Sequence, residues 1–147
     1  MHSERYTKFI SRLKTKELVP LDGAIGTELQ KRGVKMDGSW CGSASLHQDI
    51  LKKVHIDYIN AGSKIITTNT YASSRIMLKA AGMEKRFKEI NLKAINSALS
   101  ARKETNKNDV LIAGSISHRY PIADGDILSQ AVVNVSKNEL QDSTYEM

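Results

Sequence analysis

Polar and glycine residues stand directly after three short apolar runs. Asp22-Gly23 follows Leu18-Val19-Pro20-Leu21, Thr68-Asn69-Thr70-Tyr71 follows Lys64-Ile65-Ile66-Thr67, and Gly114-Ser115 follows Asp109-Val110-Leu111-Ile112-Ala113. If the runs are parallel strands, the clusters gather at the carboxyl ends of a sheet, where α/β proteins bind ligands. Gly23 and Gly26 let the backbone turn tightly with its amides exposed, and exposed amides near a helix start suit a carboxylate or phosphate. Asp22, partly desolvated at the same place, suits an ammonium group. An anion receptor beside a carboxylate matches the two ends of an amino acid. A plainer reading stands beside this one, because Asp-Gly marks many ordinary turns and Thr67-Thr68-Asn69-Thr70 can be no more than a strand end.

Other reactive residue types read as structural. His55 falls on the apolar side of its helix near Val54 and Tyr58, the position of a packed core histidine. Cys41, beside Trp40 in a glycine-rich loop, reads as an incidental thiol. His118 follows the third apolar run and is either a solvated loop residue or a ligand contact. There is no Gly-x-Gly-x-x-Gly fingerprint, no P-loop and no pair of histidines or cysteines at metal-ligand spacing, so no residue is assigned as catalytic or as a metal ligand.

The elements that would position the clusters follow from periodicity. Tyr6, Phe9, Ile10 and Leu13 recur at helical spacing and predict an opening amphipathic helix. A strand over 18–21 leads to a helical turn from Thr27 to Arg32, stopped by Gly33. Residues 34–45 read as loop. Asp49 is placed to cap a helix carrying Ile50, Leu51, Val54, Tyr58 and Ile59, which ends at Asn60-Ala61-Gly62. Lys64–Thr70, rich in β-branched residues, predicts a buried strand. Helices follow over Ser74–Ala81, closed by Gly82, and Lys85–Lys103, with Phe87, Ile90, Leu92, Ala94, Ile95 and Leu99 as the apolar side of the second. Asp109–Gly114 is a third strand, 117–137 reads as loop, and Asn138–Met147 begins a further helix. Strands separated by helices imply right-handed crossovers and a parallel sheet.

Composition bounds the classes. With 147 residues, 40% apolar and 26% charged, the chain fits one globular domain. A single cysteine forms no internal disulfide and points to a reducing, cytoplasmic setting. No apolar run reaches the roughly 18–20 residues that span a bilayer, so no membrane partner is expected. The net charge of +6 is concentrated before residue 108, where all but two of the 22 Lys and Arg residues lie. These bases alternate with acids and aliphatics at helical spacing, as solvated helix faces do, and no nucleic-acid partner is expected.

The order of the motifs is more specific than any one of them. Leu21-Asp22-Gly23-Ala24-Ile25-Gly26-Thr27-Glu28-Leu29 resembles the opening strand and loop of the homocysteine S-methyltransferase family. Trp40 falls where that family has a tryptophan. His55-Ile56-Asp57-Tyr58, Ala61-Gly62 and Ile65-Ile66-Thr67-Thr68-Asn69-Thr70-Tyr71 resemble its second helix and strand, and Ile112-Ala113-Gly114-Ser115-Ile116 is similar to its third strand. The resemblance implies an α/β fold that is part of a (β/α)8 TIM barrel: about the first three βα units, preceded by an N-terminal helix. It implies that homocysteine is the substrate, its thiol activated as a zinc thiolate, with a methyl group arriving from a donor that varies among subfamilies. Asp22 would hold the substrate ammonium, and Gly23 with the amides around Ile25 and Gly26 would receive the carboxylate. Thr68, Asn69, Tyr71 and Ser115 would line the pocket.

The family's zinc-binding cysteines follow its sixth and eighth strands, and a further glutamate follows the fourth. A complete barrel needs about 250 residues, so residues 1–147 would be the N-terminal part of the domain, ending before the zinc-binding half. Cys41 matches none of the ligands and replaces a family serine. Many members have Gly-Pro where Ser117-His118 stands, which leaves the methyl donor open. Two expectations follow: an inactive or incomplete portion of a methyltransferase, or a non-catalytic binding module, a half-barrel that associates with another chain through open sheet edges.

Overall fold

The computed structural model describes residues 4–116, 136–138 and 141–142. His118 and the loop read over 117–137 lie outside the described residues, save Ser136 and Lys137. Of the helix expected over Asn138–Met147, Asn138, Gln141 and Asp142 are described, and all three are helical.

Helix α1 (Glu4–Lys14) forms where the sequence places it, with an acid in its first turn and bases in its last, both favourable to the helix dipole. Its apolar stripe is only partly covered, since Tyr6 is 42% and Leu13 47% exposed. The strand expected over 18–21 is reduced to one parallel bridge, Leu21 to Ile65, flanked by Lys64 N–H donating to Pro20 O and Asp22 N–H to Ile65 O. Pro20 has no N–H to offer a ladder, and Leu18 and Leu21 are exposed, so little holds a longer strand.

Helix α2 (Ile25–Lys31) begins two residues earlier than its periodicity indicates, and Gly33 follows it at φ +85°. The loop beyond contains a tight turn from Asp37 to Trp40 and a 3-10 turn, Ser43–Leu46. Asp49 does not cap α3 (Gln48–Asn60); His47 occupies the N-cap, and Asp49 lies in the first turn, where its charge favours the dipole. Gly62, at φ +107°, ends that helix.

Strands β1 (Ile65–Thr67) and β2 (Leu111–Ala113) pair in parallel, with Ile65 opposite Leu111 and Thr67 opposite Ala113. Both are shorter than expected. Beyond Thr67 the ladder adds one bond, Thr68 N–H to Ala113 O, and then breaks: Thr70 N–H turns back to Thr68 O while the Thr70 hydroxyl bonds Ser115 O. Side chains that bond nearby backbone compete in this way with ladder extension. Between the strands lie α4 (Arg75–Lys79), capped by the Ser74 hydroxyl accepting from Met77 N–H, and α5 (Phe87–Glu104).

The apolar side of α5 is not the one the largest aliphatics suggest. Leu92, Ile95 and Leu99 are 48%, 39% and 41% exposed, while Phe87, Ile90, Ala94, Ser97, Ala98 and Ala101 are buried. Small residues at this spacing let α5 approach α3 closely, and Ala98 and Ala101 share a core cluster with Ile59, Ile66 and Val110. A second cluster, including Leu29, Val34, Leu51, Val54 and Met77, joins α2, α3 and α4. The architecture is α/β with a small parallel sheet. Among the described residues no helix is long and apolar enough to cross a membrane.

Candidate functional site at the strand ends

The carboxyl ends of β1, β2 and the Leu21 bridge lie together because all three run parallel. Asp22 is joined to the next segment at once. Its Oδ2 accepts from Thr67 N–H at 2.6 Å and its Oδ1 accepts from the Thr67 hydroxyl at 2.9 Å. Burial raises its pKa above the usual carboxylate value, against the lowering effect of the Thr67 bonds. Each carboxylate oxygen has a second lone pair, so a cation can still bind, and it would favour the ionised form.

Gly23 and Gly26 are packing positions: Gly26 lies in the first turn of α2, and neither takes the positive φ that a strained turn would need. A Cβ at Gly23 would stand 2.9 Å from the Tyr58 hydroxyl oxygen, whose O–H reaches Ala24 O at 3.3 Å. A Cβ at Gly26 would stand 3.2 Å from Cys41 Cβ and 3.8 Å from Trp40 Cζ2. Helix α2 starts at Ile25 with Ala24 as its N-cap, and no side chain caps it. Its first-turn amides therefore carry no capping oxygen, the condition a carboxylate ligand requires.

The second and third clusters are tied to each other. The hydroxyls of Thr68 and Thr70 share a hydrogen bond at 2.9 Å. Thr70 Oγ1 donates to Ser115 O at 2.7 Å and accepts from Ser115 N–H at 3.1 Å. A groove of about 300 Å³ runs along this edge, lined by residues that include Thr68, Thr70, Ile112 and Ser115. Tyr71 is 37% exposed. Asn69 is buried, and its Nδ2 donates to Cys41 O at 2.8 Å and Ser45 Oγ at 3.0 Å.

Thr67, Thr70 and Tyr58 are the contributors that the sequence did not single out. The only sequence signal for Thr67 and Thr70 is their place in a threonine-rich strand end. In the sequence Tyr58 reads as one more apolar position of its helix. A larger groove, about 560 Å³, lies at the opposite end of the strands under α1. There Glu4 pairs with Lys8, Arg12 with Glu17 and Lys64 with Asp109, Arg5 Nε donates to the Asn108 carbonyl, and none of the strand-end residues lines it.

Two reactive groups are quenched by burial. His55 is fully buried with no hydrogen-bond partner for either ring nitrogen, and burial pushes its pKa down to about 4. The Cys41 thiol is pushed up to about 11. Cys41 is the one cysteine of the chain, and among the described residues no three His, Cys, Asp or Glu side chains converge to hold an ion. The residues described here therefore do not fit a zinc site.

Comparison with known proteins gives the same direction. The homocysteine S-methyltransferase family model matches residues 19–146. An S-methylmethionine–homocysteine S-methyltransferase of Pongo abelii is 32% identical over 108 residues, 73% of this chain and 28% of that protein. Betaine–homocysteine S-methyltransferase 1 of Danio rerio is 32% identical over 111 residues, 74% of this chain and 27% of that protein. The metallated form of the homocysteine methyltransferase MmuM from Escherichia coli superposes with a TM-score of 0.60 at 29% identity, covering 71% of this chain and 40% of that one. The chain thus spans little more than a quarter of the length of these curated relatives. With the match running through the three strand-end clusters, this chain belongs to the homocysteine S-methyltransferase family.

Proposed function

We propose that this chain is the part of a homocysteine S-methyltransferase barrel that grips the amino-acid end of homocysteine. Asp22 binds the ammonium, and the backbone at Gly23, Ile25 and Gly26 receives the carboxylate. Thr68, Tyr71 and Ser115 shape the wall on the β1 and β2 side, and Asn69, buried behind it, ties that wall to the loop before α3. The observation that carries the reading is the Asp22 carboxylate, half-buried, oriented by both donors of Thr67 and adjoining an α2 start that no side chain caps. In the complete barrel a zinc ion, held by ligands outside the described residues, would lower the pKa of the homocysteine thiol and so favour the thiolate that accepts a methyl group. On this reading these residues hold the amino-acid end of the substrate.

Analogue binding tests this. Homocysteine and methionine share an amino-acid end and differ at sulfur, so both are expected to bind with similar, roughly millimolar affinity, about −4 kcal/mol. 4-Mercaptobutanoate, which lacks the ammonium, is expected not to bind. Equal binding of the mercaptobutanoate would overturn the assignment of Asp22.

A second reading rests on the open side of the sheet. Among the described residues β2 pairs only with β1, and Leu92, Ile95, Leu99 and Ile116 lie exposed. An unpaired edge beside apolar side chains favours self-association. Light scattering after size exclusion separates the two cases, and a dispersed monomer counts against association.

A further inference from the structure

We infer that Asn69 is a positioning residue: it serves the pocket through the Trp40–Ser45 loop, not by touching the ligand. The inference takes its ligand from the homocysteine reading, but its geometry stands independently. Asn69 lies two residues beyond β1, is 4% exposed, and spends both amide hydrogens on the loop, one on Cys41 O at 2.8 Å and one on Ser45 Oγ at 3.0 Å. Cys41 O can only accept, which fixes the nitrogen of the amide on that side. Ser45 Oγ closes the ring by donating to Asn69 O at 3.3 Å.

The loop so held is rigid within itself. Asp37 Oδ1 accepts from Ser39 N–H and Ser39 Oγ, its Oδ2 accepts from Ser43 Oγ, and Ser39 Oγ accepts from Ser43 N–H. Gly42 lies so close to Ala72 O that a Cβ would overlap it. A rigid loop moves as one body, so a latch at Cys41 and Ser45 also places their neighbour Trp40. Trp40 is held at φ +61°, a conformation costly for a bulky residue, and its side chain is 51% exposed beside Gly26. Asn69 thereby fixes the distance between the end of β1 and the Gly26 wall of the pocket.

Trp40 is the single tryptophan of the chain, so its fluorescence reports this loop without ambiguity. Asn69→Ala is expected to raise acrylamide quenching of Trp40 with unchanged far-UV circular dichroism, and to weaken homocysteine binding about tenfold. Ser45→Ala, which removes one leg of the latch, should move both readouts less and in the same direction. Val110→Ala, a core truncation away from the loop, should leave Trp40 quenching unchanged. Should Asn69→Ala fail to fold, Ser45→Ala decides alone. The inference is overturned if Trp40 quenching stays at the wild-type value in the latch variants while homocysteine binding falls, since Asn69 would then contact the ligand. It is equally overturned if Val110→Ala raises quenching as much as the latch variants do. Absence of homocysteine binding by the wild type would defeat the functional reading, while the quenching comparison would still decide the role of Asn69.

Discussion

Asp22 and Thr67 form a two-point clasp in which one residue donates both its backbone N–H and its hydroxyl to the two oxygens of one carboxylate. The clasp fixes the plane of the carboxylate and joins the first parallel segment to β1 at its carboxyl end. Asn can keep the same clasp, because its oxygen accepts from the N–H and its amide can donate to the hydroxyl. Asp22→Asn is therefore expected to leave thermal stability unchanged or slightly raised, as burial disfavours the charged form. Homocysteine affinity should fall by about 1.5–3 kcal/mol, the range for a hydrogen bond to a charged group. Calorimetric titration and a melting curve of the same variant check both halves.

The pH dependence of substrate binding follows from the same group. The folded-state pKa of Asp22 lies above the ordinary value, so the carboxylate protonates earlier on acidification than an exposed one. Homocysteine affinity is expected to weaken as pH falls through that raised value and to level off above it. In Asp22→Asn the dependence should vanish, which a titration series across mildly acidic pH would show.

His55 sets a separate, acid-side limit on stability. Its pKa is about 4 in the folded chain and 6.5 as the reference value, so the unfolded state binds more protons between these two. Stability from the neutral, buried ring is complete above the reference value and is lost as pH falls toward the folded one. The loss approaches about 3 kcal/mol, from roughly 1.4 kcal/mol per pKa unit. Urea midpoints across this window should flatten in His55→Phe.

Glycine substitutions separate packing from open space. A Cβ at Gly42 overlaps the carbonyl oxygen of Ala72, while one at Gly114 meets nothing within 4 Å. Gly42→Ala is expected to cost about 3 kcal/mol or more and Gly114→Ala within about 0.5 kcal/mol of wild type. Denaturant unfolding measures both.

Helix α5 offers a similar contrast. Ala98 is fully buried in the core cluster it shares with Ile59 and Ile66, and Leu99 beside it is 41% exposed. Ala98→Leu is expected to destabilise by about 1–3 kcal/mol through overpacking, and Leu99→Ala by less than about 1 kcal/mol. The reverse order in melting temperature would mean that α5 is rotated from the position described.

The element order and the family were legible in the chain because helical periodicity and β-branched runs report local preference directly. On α5 the sequence marks Phe87, Ile90 and Ala94, which are buried, but also Leu92, Ile95 and Leu99, which are not, because close helix approach favours the small Ala98 and Ala101 over larger aliphatics. Strand lengths were overestimated where threonine hydroxyls bond backbone across β1 and β2, a competition no propensity records. At the candidate site, Asp22, Gly23 and Gly26 could be read from composition and spacing. The clasp by Thr67, the packing of Tyr58 on Gly23 and the latch by Asn69 could not, since each joins segments 24 or more residues apart.

The most direct test is a backbone-amide NMR titration of the chain with homocysteine. The account predicts saturable shifts centred on the amides of Asp22, Gly23, Ile25 and Gly26, moved to more than about tenfold higher homocysteine by Asp22→Asn and indifferent to added zinc. Shifts confined to the groove under α1, or none at these four amides at high millimolar homocysteine, would contradict it.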